Sequence, residues 1–296
     1  MGAGQKWQTF LVLSLVNITW GLQPIAIKWL IEEWSAYTIV ALRFLIISIL
    51  LFAYVAKKEG RKMVPADGRM WFGVLLMGLT GIMLNNVLQF EGLRYTTVMN
   101  ATLIGAGGPA MTALLAVFAV KERLGFAAWL GIIISSFGTL MAISHGDLGL
   151  IANINFNLGD IMWFLAQLAW SVYSLLGPWV MKRLSVLAVS AWAGLFGSLL
   201  TFAYGFAVGD IAFPALSPLA YGSFFYIVFL GGIFAMVGWN VGVKNVGASI
   251  ASIFLNFIPV AGILGAMIFL GEGMDRAQMI GAAAIFAGVY LTTRTS

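Results

Sequence analysis

Two sets of uncharged polar and indole side chains recur at helical spacing. Asn17, Trp20, Gly21 and Pro24 fall at i, i+3, i+4 and i+7, with Gln23 beside them. Trp163, Gln167, Trp170 and Ser174 share one helical face in the same way, with Tyr173 adjacent. Further groups of the same kind are Asn85, Asn86 and Gln89; Asn100 and Thr102; Trp239 and Asn240; and Ser249, Ser252 and Asn256. Amides donate and accept hydrogen bonds without carrying charge, and indole faces stack on rings, so these positions offer binding chemistry. A cavity lined this way would suit a zwitterion with an aromatic or apolar side chain. The competing reading for each single Asn or Gln is a hydrogen bond to a neighbouring helix.

Catalytic sets are missing from the same stretches. The chain has no cysteine and one histidine, His145, which excludes disulfides, thiolate sites and a histidine metal cluster, and no metal or cofactor is expected. No Asp, Glu or His stands at the middle of an apolar segment, so neither a buried proton relay nor an intramembrane hydrolase is visible. Downhill movement and coupling through a rim carboxylate such as Asp160 or Glu91 both stand. Glu122 and Glu272 read as caps on the helix that follows each, and Asp160 as a cap on the helix it opens. Arg43 is the charge well inside a segment; it snorkels or meets a backbone carbonyl, with a substrate contact as the alternative.

The elements that hold these residues are membrane helices. Hydrophobic residues make up 61% of the 296 and charged residues 9%, with mean hydropathy +0.97, which no soluble domain shows. A bilayer core of roughly 30 Å takes about 20 apolar residues per helix. Ten segments emerge, near 9–30, 36–56, 70–92, 97–120, 124–143, 158–181, 186–208, 218–242, 247–270 and 275–293. Their continuous apolar runs exclude the alternation of a β-barrel. The run from Thr9 is long and lacks an A-x-A-like cleavage site, so it is expected to be a retained first span. Trp7, Trp34, Trp71, Trp129 and Trp179 lie near segment ends and read as interfacial anchors. With the N-terminus inside, twelve of the 16 basic residues collect in inner connections, against Lys28, Arg94 and Arg276 outside. Both termini are therefore expected in the cytoplasm. This bias accounts for the net charge of +5 without nucleic acid.

A shift of 150 residues superposes the chain on itself. Trp20 falls on Trp170, Gly81 on Gly231, Gly92 on Gly242, Pro109 on Pro259, Glu122 on Glu272, Gly131 on Gly281 and Gly138 on Gly288. Five segments per copy is an odd number, so the second copy enters the membrane from the opposite side. Such inverted repeats are the architecture of secondary transporters that alternate access around a midplane site. Pro109 and Pro259 each remove one helical hydrogen bond and are expected to act as paired hinges beside the cavity, with Asn256 one turn before Pro259.

The motifs that carry a family likeness are "PAMTALLAVFAVKE" and "PVAGILGAMIFLGE", followed by "WLGIIISSFGTLM" and "MIGAAAIFAGVYL", and "GDIMWFLAQLAWSVYSL" at 159–175. They resemble the EamA domain pair of the drug/metabolite transporter superfamily, with the aromatic amino-acid exporters of the YddG type as the nearest subgroup. The resemblance implies an all-α integral membrane protein of ten helices in two inverted repeats, residues 1–146 and 147–296. It implies a bacterial inner-membrane exporter of amino acids or related metabolites, binding a small molecule in lipid, with a monomer expected. Multidrug export by the same fold, and an intramembrane enzyme or channel, are the alternatives.

Overall fold

The computed structural model describes residues 3–92, 95–96, 104–105, 107–147, 149, 157–270 and 275–294. Helix is the regular structure throughout them, and no strand occurs among the described residues. In chain order the helices are α1 (Ala3–Leu30), α2 (Ala36–Glu59), α3 (Gly68–Gly92), α4 (Gly108–Ala119) and α5 (Phe126–Ile143). There follow α6 (Leu158–Val180), α7 (Val186–Ala207), α8 (Pro218–Val246), α9 (Ala248–Ile253, a 3-10 turn at Phe254–Asn256, then Phe257–Leu270) and α10 (Arg276–Arg294). Six of them, α2, α3, α5, α6, α7 and α8, are long and apolar enough to cross a membrane. Arg94, Asn100, Thr102 and Glu272 lie outside the described residues.

Short polar residues start these helices. Ser35, Asp67, Ser185 and Ser217 each accept a hydrogen bond from the backbone N–H three residues on, which satisfies one orphan donor and contributes about 1 kcal/mol where the helix end is otherwise open. At α6, Asn157 and Asp160 form a reciprocal capping box, as expected for Asp160. Asp275 and Gln278 do the same at α10, with bonds of 2.8 and 3.0 Å.

The bundle is inside-out relative to a soluble protein. Phe118, Phe126, Ile133, Phe225 and Phe286 stand exposed on the outer faces, while Asn17, Ser48, Asn240, Ser252 and Asn256 are buried. Lipid solvates the first set, and the second must find partners within the protein.

Glycines set the closest approaches. In the antiparallel pair α5 and α10, a Cβ on Gly131 would come within 2.6 Å of the Gly288 carbonyl, and one on Gly138 within 2.6 Å of the Gly281 carbonyl. The contact is crossed: 131 and 281 are one repeat pair, 138 and 288 the other. Helices α2 and α7 meet likewise, with Ser198 donating to the Ala41 carbonyl at 2.6 Å and a Cβ on Gly194 coming within 2.5 Å of Ser48 Oγ. Small residues let backbones touch, which drives helix association where no hydrophobic effect operates between lipid and side chain.

α3 and α8 each contain a π turn, Gly78–Leu84 and Phe229–Phe234. Such turns widen the helix by one residue and leave carbonyls out of register, free to accept bonds from elsewhere. Tyr173 of α6 packs on Gly81 in the first, and Gln23 of α1 packs on Gly231 in the second.

Pro109 and Pro259 are not mid-helix kinks. Pro109 occupies the first turn of α4, behind a turn at Gly107. Pro259 follows the 3-10 turn of α9 and sits in the first turn of the helix that resumes at Phe257. A first-turn proline loses no intrahelical donor, so each break precedes its proline.

Candidate substrate site

Three indoles from three helices meet inside the bundle. Trp20 of α1 lies edge-on to Trp170 of α6, with ring centroids 5.5 Å apart. Trp239 of α8 approaches both, at 5.7 and 5.2 Å. Tyr173 stacks on Trp170 at 5.1 Å. Offset and edge contacts of this kind satisfy the ring quadrupoles and add about 0.5–1.5 kcal/mol per pair beyond burial. Trp20 and Trp170 are the repeat mates, so the pair straddles the relation between the two halves.

Polar bonds fix part of the cluster and leave part of it free. Tyr173 Oη donates to Asn240 Oδ1 at 3.0 Å, and Asn240 Nδ2 donates to Tyr173 Oη at 2.8 Å and to Ser190 Oγ of α7 at 2.9 Å. Trp239 Nε1 donates to Ser174 Oγ at 3.3 Å. Trp239 and Tyr173 are fully buried, so these two form the floor of the cluster. Trp170 Nε1 is buried and donates to nothing, whereas Trp20 Nε1 donates to the Gly231 carbonyl at 3.0 Å.

The other amides divide by partner. Asn85 Nδ2 donates to the Ala166 carbonyl at 3.1 Å and ties α3 to α6. Asn86 Nδ2 donates to the Ile82 carbonyl at 2.7 Å and closes the π turn of its own helix. Asn256 Nδ2 donates to Ser135 Oγ at 2.9 Å and ties α9 to α5. Asn17 Nδ2 donates to the Leu13 carbonyl at 2.7 Å, leaving its buried Oδ1 without a donor. Gln89 and Gln167 are half-buried, and Gln167 faces Gly105 and Gly108 at the start of α4. Trp163 packs on Gly92, its Nε1 buried and unpartnered.

Arg43 meets a backbone carbonyl, one of the two structural readings its position allows. Its Nη2 donates to the Gly231 carbonyl at 2.9 Å and to Gln23 Oε1 at 3.3 Å. Trp20 and Arg43 therefore converge on one π-turn oxygen. Sequence reasoning missed Ser190 and the Gly231 carbonyl; the coincidence of Gly81 and Gly231 in the repeat marked the place but not the π turn.

Contacts at the rims join connections distant in sequence. Arg183 Nη1 donates to Asp67 Oδ2 at 2.7 Å. Ser217 donates to Glu33 through its N–H at 2.7 Å and its hydroxyl at 2.5 Å. His145 pairs with Asp275. The Ser217 hydroxyl and N–H hold the Glu33 carboxyl below its ordinary range. The Met70 N–H, with Arg183 beside it, does the same for Asp67, and the Gln278 N–H with His145 for Asp275. Glu122 departs from its expected place. The cap position of α5 is Gly125, which makes no side-chain bond, and the Glu122 carboxylate lies against Gly247 and Ser249 at the start of α9 instead. Gly247 holds φ 85°, a backbone state suited to glycine, and a Cβ there would come within 2.9 Å of Glu122 Oε1. Burial pushes the Glu122 carboxyl up, against the lowering effect of Ser249. It borders a cavity of about 360 Å³ with Lys6, Phe10 and Asn245 on its wall.

No group of His, Asp and Glu among the described residues is placed to hold a metal ion. Binding groups turned inward, in a shell of helices with an apolar outer surface, define a membrane transporter. The chain belongs to the EamA-like transporter family, which matches it twice, over residues 7–144 and 157–294. An uncharacterized transporter of Archaeoglobus fulgidus is 26% identical over 97% of both chains. The uncharacterized transporter YyaM of Bacillus subtilis is 27% identical over 73% of this chain and 70% of its own. The uncharacterized inner membrane transporter YedA of Escherichia coli is 25% identical over 96% and 90%. A crystal structure of another protein superposes with a TM-score of 0.82 at 17% identity, covering 97% of each chain; the likeness is one of fold.

Proposed function

We propose that this chain is a secondary transporter of the bacterial inner membrane that exports amino acids with aromatic or other apolar side chains, of the YddG type, by alternating access. All ten helices cross the bilayer, both termini are cytoplasmic, and residues 1–146 and 147–296 form two inverted repeats that rock about a central cavity. The single observation that carries the substrate class is the indole cluster of Trp20, Trp170 and Trp239, with the Trp170 donor unused. Stacking faces and a free N–H suit a ring and a polar backbone together. The crossed contacts of α5 with α10 support the inverted relation, because residues 150 apart exchange partners there.

Flux of labelled tryptophan, phenylalanine and threonine into proteoliposomes, with and without a pH gradient, tests the reading. Saturable movement of tryptophan and phenylalanine is expected. Preference for threonine or for lipophilic cations would overturn the substrate class, flux that does not saturate would indicate a channel, and turnover without flux would indicate an enzyme. Trp170→Ala is expected to raise KM for tryptophan at least tenfold at unchanged expression.

A further inference from the structure

Arg43 is 4% exposed and lies in the apolar interior of α2, where an uncompensated cation is costly and marks function by default. Its hydrogen-bond capacity is poorly used. A guanidinium presents five N–H donors, and here Nη2 alone donates, to the Gly231 carbonyl at 2.9 Å and to Gln23 at a long 3.3 Å. Nε is buried with no acceptor. No carboxylate reaches the group: the ion pairs among the described residues are Arg183 with Asp67 and His145 with Asp275, both at the rims. The Phe44 ring beneath it, 4.9 Å from Cζ, gives partial compensation only.

We infer that Arg43, with Gln23 beside it, is an anion subsite that takes the carboxylate of the transported molecule. Nε and Nη2 lie on one edge of the guanidinium, so a carboxylate displacing the weak Gln23 contact would be held by two parallel N–H bonds, the geometry in which arginine excels. Gln23 then turns its amide N–H₂ towards the same anion. Placement supports this assignment. Arg43 and Trp20 donate to the same Gly231 oxygen, and the Trp20 ring meets Trp170. A carboxylate at Arg43 thus has an aromatic wall adjoining it. This inference rests on the amino-acid reading given above, and it adds that the carboxylate is required. The structural alternative is that Arg43 only pins α2 to the π turn of α8.

Paired ligands separate these roles. Binding of indole-3-propionate and of tryptamine, one bearing the carboxylate and the other the amine on the same ring, is read by ligand-induced thermal shift on the purified full chain. Labelled tryptophan flux is measured in parallel. The wild type is expected to bind indole-3-propionate, and Arg43→Gln to lose at least tenfold in that affinity relative to tryptamine. Gln23→Glu guards against a folding defect in the first variant. It places a resident carboxylate on the guanidinium, and is expected to raise the thermal midpoint while abolishing the indole-3-propionate shift. Equal losses for both ligands in Arg43→Gln, or full indole-3-propionate affinity in Gln23→Glu, would overturn the anion subsite. A response to chloride alone, with no discrimination between the two ligands, would overturn it as well. Wild-type protein that binds indole-3-propionate but moves no tryptophan would remove the amino-acid reading and leave the subsite standing.

Discussion

Two of the rim contacts that join the halves are the same contact written in different chemistry. At one, Arg183 in the α6–α7 connection donates to Asp67, the cap of α3. At the other, Glu33 in the α1–α2 connection accepts from Ser217, the cap of α8. Residues 33 and 183 are 150 apart, as are 67 and 217. The carboxylate has moved from the cap to the connection, and the cation has no counterpart. Position in the repeat fixes which backbone segments meet, because helix packing places them there; the side chains are free to differ. Under the alternating access proposed above, that freedom would let the two rims differ in the strength and the sensitivity with which they close.

The largest expected effect comes from the π turns, where the halves also differ. Gly81→Ala drives a methyl into the body of Tyr173, near its Cβ and held by Asn240, whereas Gly231→Ala presses on the flexible end of Gln23, with Arg43 Nη2 in ordinary contact at 3.7 Å. The first is expected to destabilise by about 1–3 kcal/mol and the second by less, since overpacking is costly where neighbours cannot yield. Thermal midpoints in detergent check this, and equal losses would break the proposed difference.

Next in size is the response to pH. The Glu33 and Asp67 carboxyls lie below their ordinary values, so their contributions are present above the unfolded pKa and are lost as pH falls through the folded value. Glu122 is raised, so its contribution is present below the unfolded pKa and is lost as pH rises through the folded one. Glu122→Gln is therefore expected to gain stability over wild type as pH climbs from 4 to 8, while Glu33→Gln falls further behind; denaturation profiles across that range show the opposite slopes. Smallest is the effect of salt. Raising ionic strength should weaken the exposed Arg183–Asp67 pair and spare the Glu33–Ser217 bonds, so a double-mutant cycle on the first shrinks at high salt and one on the second does not.

Much of the scaffold was legible because its signals are local. The spacing of Trp20, Trp163 and Trp170 pointed to shared helical faces, and the capping part of Asp160 at α6 follows from short-range chemistry, with Asn157 as its partner in the box. What sequence could not supply were partners distant along the chain. Glu122 stands against the start of α9, some 125 residues away, because the loop before α5 lies beside Gly247. Asn85, Asn86 and Asn256 were chosen as substrate contacts by their polarity, and their amides are engaged by backbone or Ser135. The π turns leave no mark on hydrophobic periodicity, so the Gly231 carbonyl that gathers Trp20 and Arg43 was invisible.

The chain contains no cysteine, so engineered pairs report on the two rims without interference. Glu33→Cys with Ser217→Cys, and Asp67→Cys with Arg183→Cys, would each tie one rim shut on oxidation. Alternating access predicts that either disulfide stops saturable tryptophan flux in proteoliposomes and that reductant restores it. Undiminished flux with both rims verifiably cross-linked would contradict it.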